Sequence, residues 1–340
     1  MIVTDQIHRI LTDSREATFE KLKKQASDVT RQYFGRTISL YAPLYLGNYC
    51  ENNCVYCGFS SHHKIPRTRL NDAELHKEMN VLSKQGIQNI LILTGESDRM
   101  TSVNYIKNAV TIARQYFPNV SIEIQPLLTD EYSQLIKAGV DGLAVYQETY
   151  DREIYDTVHV SGKKKDYNYR YETPERAAHA GMRSISMGIL LGLAPPVEDV
   201  IALFQHLRFM EKIYPGVEYS LSFPRIVPVE DMDYQPIKVS DDLFVKIICL
   251  TRILFPRVGI NLSTREQPAI RDDMLSLVTR MSAGSSTLVG GYTHIREGEP
   301  QFDIHDHRSV KEIVQLLKDK NYDPVFTEWR CLHEVSGLRV

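Results

Sequence analysis

A chain of 340 residues, 43% of them apolar, is sized for one large domain or two ordinary ones and has ample material for a core. Its 40 basic and 43 acidic residues leave a net charge of −3 spread along the sequence, which offers no footing for nucleic acid or an anionic membrane surface. Residues 1–36 are polar and helical in pattern, with no apolar signal segment, and the longest apolar stretch, 185–194, is too short and too broken by glycine for a membrane span of roughly 20 residues, so a cytoplasmic location is expected.

In chain order, β-rich runs at 39–46, 89–94, 121–125, 142–146, 184–191, 218–223, 259–263 and 280–283 alternate with amphipathic stretches. Asn71 and Glu74 have the spacing of a capping box ahead of a stripe of Leu75, Met79 and Leu82, and Gly86 stops that helix. Ser240 caps a later one, whose stripe is Leu243, Ile247, Leu250 and Leu254. Eight β/α alternations predict an α/β fold, a (β/α)8 TIM barrel over 37–320, with a helical extension at 1–36 and a tail at 321–340; a doubly wound open sheet is the alternative. The barrel is favoured by polar residues just past one strand after another, where barrel enzymes build their sites: Cys50, Glu96, Gln125, Gln147, Glu148, Arg225, Arg265 and Ser282.

Five cysteines in a chain of this length and compartment are not expected to be disulfide staples. Cys249 falls inside an apolar helical pattern and reads as core, and Cys331 lies near the C-terminus. Cys50, Cys54 and Cys57 are different, because they form C-x3-C-x2-C directly after the first strand. A structural zinc site takes four protein ligands, whereas three thiolates on a cubane iron–sulfur cluster leave the fourth iron open to bind something else. The other reading is a Cys3His zinc-binding scaffold with His62 or His63 as fourth ligand and no catalysis.

The spacing, with Tyr56 just before the last cysteine, resembles the signature of the radical S-adenosylmethionine (SAM) superfamily. That resemblance implies one [4Fe-4S] cluster held by the three cysteines and SAM chelated on its open iron. Thr94-Gly95-Glu96 resembles the element that receives the methionine ammonium group, so Gly95 and Glu96 go to the cofactor. Glu148, after the fourth strand, is the candidate for the SAM ribose. Gly188-Ile-Leu-Leu-Gly192 resembles the fifth-strand element along the adenine, which assigns Leu191, although the acid usual three residues later is missing. Arg170 is assigned near the SAM carboxylate, and Tyr56 and Glu123 are grouped with the cofactor residues. Lys163, Lys164 and Lys165 read as a solvated loop, and His159 carries no assignment.

Within that superfamily the chain resembles the aromatic amino-acid lyases, and most closely the tyrosine lyases of thiazole biosynthesis, the 2-iminoacetate synthases. The matching pieces include Leu44-Tyr-Leu-Gly-Asn-Tyr-Cys50, Glu123-Ile-Gln-Pro126, Tyr146-Gln-Glu-Thr-Tyr150, Ser222-Phe-Pro-Arg225 and Leu262-Ser-Thr-Arg-Glu266. The resemblance implies cleavage of the Cα–Cβ bond of L-tyrosine to 2-iminoacetate and 4-cresol, with Arg265 and Ser282 holding the substrate carboxylate. An ion pair between Arg265 and Glu266 is the structural alternative. Glu96 and Ser97 are placed to read either the substrate or the SAM ammonium group, and Arg225 either faces the pocket or braces the rim. Expected partners are an electron donor such as flavodoxin or ferredoxin, and a thiazole synthase that takes the product. Two other lyases stand as alternatives: one acting on tryptophan, and a tyrosine lyase of [FeFe]-hydrogenase maturation, whose second three-cysteine cluster a tail holding only Cys331 is not expected to form.

Overall fold

The computed structural model describes residues 4–229, 232, 234–293 and 298–326. Eight parallel strands follow one another around a sheet: β1 (Thr37–Gly47), β2 (Asn89–Thr94), β3 (Asn119–Glu123), β4 (Gly142–Glu148), β5 (Ser184–Ile189), β6 (Glu218–Ser222), β7 (Gly259–Leu262) and β8 (Arg280–Ser282). β1 pairs with β2 and also with β8, through Ser39–Arg280 and Tyr41–Ser282, so the sheet closes into a barrel and the open-sheet alternative falls away. Runs such as Asn89-Ile-Leu-Ile-Leu-Thr94 are apolar nearly throughout, because a strand of a parallel barrel is covered on both faces. A short β9 (Asp323–Val325) adds to the start of β1.

The helices form the outer layer. Asn71 caps the one after β1, Asp72–Lys84, in a capping box with Glu74, and Ser240 caps Asp241–Leu254 through the Leu243 N–H at 3.2 Å. Cys249 is fully buried on the latter helix, among core aliphatics. Two N-terminal helices, Thr4–Thr12 and Glu16–Phe34, pack against this helix. Lys246 donates to the Asp13 carbonyl at 2.5 Å, and the buried Arg252 guanidinium lies 4.5 Å from the centre of the Phe34 ring. No helix of the described residues is long and apolar enough to cross a membrane. Cys331 lies outside the described residues.

Strand ends depart from the sequence reading where the site is built. β4 runs on to Glu148, with a register shift between Tyr146 and Glu148, while β5 stops at Ile189 instead of 191. The segment between β4 and the next barrel helix is not a plain loop. It holds Arg152–Val158, a strand His159–Ser161 paired antiparallel with Asn53–Cys54, a 3-10 turn Lys163–Lys165 and the helical turn Tyr167–Tyr171.

Candidate active site

The cysteine loop leaves β1 at the C-terminal mouth of the barrel and is tied down before its thiols are placed. Asn48 holds it through Pro66 and Thr68, and the Arg67 guanidinium donates to the carbonyls of Asn48, Phe59, Ser60 and His63 at 2.6–3.0 Å. Four carbonyls on one planar cation fix the loop's path, since the fork of donors is rigid. Cys50, Cys54 and Cys57 all line the cavity inside the mouth. Burial pushes the Cys54 thiol well above its ordinary value; Lys164 pulls against that rise, and the Cys57 and Cys50 thiols add to it.

Packed against this loop stands a charged wall. Glu96 accepts from Asn52 Nδ2 at 2.7 Å and from Arg170 at 3.0 Å. Arg170, buried, also donates to the Tyr146 carbonyl at 2.7 Å and to Glu148 at 3.4 Å. Lys164 donates to the same oxygen of Glu148 at 2.7 Å, and its backbone N–H reaches Asn52 Oδ1 at 2.9 Å. Burial works against the Glu148 carboxylate, but Lys164 and Arg170 outweigh it and hold the group below its usual range. Glu148 has φ +72, a left-handed conformation that a non-glycine residue adopts only when its surroundings enforce it, and this aims the side chain into the mouth. Gly95 is required here, because a Cβ on it would lie 2.3 Å from the Tyr49 carbonyl oxygen. Tyr56 donates to His159 Nε2 at 2.8 Å. His159 Nδ1 must carry the ring proton because it faces the Tyr155 carbonyl at 2.8 Å. Burial, and then Lys164, keep this imidazole neutral, and both its nitrogens are spent on protein.

The far rim is built by β7 and β8. Arg265 faces the cavity with its guanidinium over the Phe302 ring, 3.4 Å from the centroid, and pairs with no acid among the described residues. Glu266 is taken instead by Arg225, which also bonds Asp241 at 2.6 Å and the Val239 carbonyl at 3.2 Å. The Arg265–Glu266 alternative is therefore set aside, and Arg225 braces the rim. Ser282 accepts from the Thr264 N–H at 3.0 Å, and its hydroxyl also meets the Tyr41 phenol. The segment 298–306 crosses from one side of the mouth to the other. Gln301 accepts from Tyr45 at 2.7 Å and from the Gly58 N–H at 3.0 Å, points its amide at Cys57 Sγ at 3.8 Å, and is followed by Phe302 under Arg265.

The model of the radical SAM superfamily matches residues 44–207, and that of the Biotin and Thiamin Synthesis associated domain matches 222–323. The 2-iminoacetate synthase of Salmonella typhimurium (strain LT2) is 36% identical over 96% of this chain and 87% of its own length. That of Escherichia coli (strain K12) is 35% identical over 96% and 88%. Among solved structures, HydG, a maturase of the [FeFe]-hydrogenase, superposes with a TM-score of 0.91 at 30% identity, covering 96% of this chain and 73% of that one. This chain belongs to the 2-iminoacetate synthase family of radical SAM proteins.

Membership of that family implies a [4Fe-4S] cluster and SAM, and the residues present fit both. Three soft thiols face one cavity with no fourth protein ligand among the described residues, and a four-iron cluster takes thiolates from more widely set positions than a single ion does. Among the described residues no three His, Cys, Asp or Glu side chains could hold a single metal ion, with His62 exposed and His63 half-buried, which leaves the zinc reading without a site among them. The cavity brings together Tyr56, Gly95, Glu96, Glu123, Glu148, Arg170, Arg265 and Ser282 with the cysteines. Two expected site residues are placed elsewhere. Ser97 is buried behind the wall, donating to Glu51 at 2.6 Å and accepting from the Met100 N–H at 3.2 Å. Leu191 spends both backbone groups on Pro224 and Ile226, and its neighbour Leu190 lines the cavity. Lys164 corrects the reading of a solvated lysine run, and with Asn52 it is a wall residue that the sequence reading missed.

Proposed function

We propose that this chain is a radical SAM lyase that cleaves the Cα–Cβ bond of L-tyrosine to 2-iminoacetate and 4-cresol, with 5′-deoxyadenosine and methionine as the SAM products, in the making of the thiazole of thiamine. The observation that carries it is the placing of Arg265, a cation with no acid partner among the described residues, across one cavity from three thiols, in a chain 36% identical to a 2-iminoacetate synthase over nearly its whole length. Cys50, Cys54 and Cys57 would hold the cluster, and Glu96 and Gly95 the methionine end of SAM. When bound, the cluster and SAM supply a carbon radical that removes a hydrogen atom from the substrate amine. The residues then do what an unselective radical needs done. Arg265 and Ser282 fix the substrate carboxylate, and the barrel wall excludes water and competing hydrogens.

A one-electron carrier such as flavodoxin or ferredoxin would reduce the cluster. The product hydrolyses readily in water, which favours transfer to a thiazole synthase. The test is anaerobic incubation of the reconstituted chain with SAM, a reductant and tyrosine. 4-Cresol and 5′-deoxyadenosine are expected together. No deoxyadenosine would sink the enzyme reading, and deoxyadenosine without 4-cresol, or turnover of tryptophan in its place, would sink the assignment of tyrosine.

A further inference from the structure

Among the described residues three carboxylates line the cavity, Glu96, Glu123 and Glu148. Two of them are engaged: Glu96 by Asn52 and Arg170, Glu148 by Lys164 and Arg170. The Glu123 carboxylate, at the end of β3, has neither a hydrogen bond nor an ion pair from any described residue, and the residue is half-buried in the cavity wall. β3 lies between β2 and β4, so Glu123 ends the strand between those that lead to Glu96 and Glu148, and it faces the cavity that Arg265 also lines. Glu148, Lys164 and Arg170 act on it from the cofactor wall, and Arg265 acts on it from the far rim. The phenols of Tyr41 and Tyr45 on β1 and of Tyr146 on β4, which line the same cavity, feel its charge.

An α-amino acid held by its carboxylate on Arg265 and Ser282 carries its nitrogen about 2.5 Å from the carboxylate carbon. That places the ammonium group just inside the far rim, where an anion must meet it or leave a buried charge unpaired. The two engaged carboxylates are pinned on the cofactor side, so the remaining one is the group within reach.

We propose that Glu123 receives the substrate ammonium group and takes one proton from it, so that the amine meets the radical in its neutral form; this rests on the tyrosine-lyase reading above. The transfer moves a proton from nitrogen to a carboxylate oxygen. It leaves a carboxylic acid and an amine with its lone pair restored, and no electron changes hands. The lone pair matters because a nitrogen-centred radical is stabilised by it, and an ammonium ion has none to offer. Burial, and then the Glu148 charge, push the Glu123 carboxyl up to about 7, which suits a group that must both accept and release a proton near neutrality. The resemblance assigned Glu123 to the cofactor; its unengaged carboxylate in the cavity that Arg265 lines assigns it to the substrate.

The test uses Glu123→Gln, which keeps the side chain's shape and removes its charge. Tyrosine binding to the cluster-loaded chain without SAM is followed by calorimetry from pH 6 to 8, and SAM binding is measured alongside. The native chain should bind tyrosine about tenfold more tightly at pH 8 than at pH 6, as the carboxyl loses its proton. The variant should bind it at least about tenfold more weakly at pH 8, with no pH dependence, while its affinity for SAM stays within about twofold. With SAM and reductant it should still form 5′-deoxyadenosine but yield about a hundredfold less 4-cresol per deoxyadenosine. Native affinity and pH profile in the variant would overturn the proposal, as would an equal loss of SAM binding, which would return Glu123 to the cofactor. A native chain that makes no 4-cresol defeats the tyrosine-lyase reading instead, and the two failures are told apart by which protein fails.

Discussion

Lys164 points into the barrel while Lys163 and Lys165 are exposed, because a 3-10 turn rotates successive side chains by about 120°. Its ammonium group then meets Glu148, and the 3-10 turn also delivers its N–H to Asn52. Replacing Lys164 by Met leaves Glu148 facing Arg170 alone, at 3.4 Å. Loss of a buried partner of this kind costs about 3 kcal/mol, so SAM affinity measured by equilibrium dialysis should fall roughly a hundredfold. A drop in tyrosine affinity of the same size would sink that role. Arg265→Leu is the converse case. Tyrosine should bind about 10- to 100-fold more weakly, the worth of hydrogen bonds to a charged group, with SAM binding little changed; equal loss of both would make Arg265 structural. At this scale the sequence spoke clearly where a residue's spacing carries chemistry, as for the cysteines, and where a residue ends a strand, as for Arg265 and Ser282. Lys164 and Asn52 were hidden because their direction is set by a turn and by partners far along the chain.

The elements that matter most are irregular. All eight barrel strands were legible from β-rich runs and turn residues, but their ends were not, since an end is decided by what the neighbouring strand offers. The bulge in β4 is the case in point: the extra residue, Gln147, lets Glu148 turn toward the mouth, and no pattern of alternation announces it. The ribbon between Asn53–Cys54 and His159–Ser161 was equally hidden, as its two strands are too short to have a pattern of their own. The cysteine loop depends on the Arg67 clamp. Arg67→Met should leave the circular-dichroism spectrum unchanged while cutting the iron taken up on reconstitution by at least about half, because four carbonyls lose a shared donor. Native iron content in that variant would show that the loop holds its shape without the clamp.

The whole molecule carries a pair of opposed titrations on the outer face of the barrel. Asp199, buried beneath Thr149 and Tyr150, is pushed by burial up to about 6, and His206 is pushed by burial down to about 4. The folded chain holds the Asp199 proton more tightly than the unfolded chain does. Its contribution to stability is therefore present below about pH 4 and lost as pH rises through about 6. His206 has the reverse sign: its contribution is present above about 6.5 and lost as pH falls through about 4. Each is worth roughly 3 kcal/mol at most, and over pH 4–6.5 they largely cancel. Asp199→Asn should therefore make the melting temperature climb more steeply with pH in that window, and His206→Gln should flatten or invert the climb. Two variants that both track the native curve would show that these groups titrate alike in folded and unfolded chains. The crossing segment at 298–306 has a consequence of its own. Gln301 touches the sulfur of Cys57 and Phe302 lies under Arg265, so one short stretch of backbone joins the cysteine loop to the far rim. A displacement of Cys57 that breaks its contact with Gln301 is therefore passed along a single peptide link to the ring beneath Arg265.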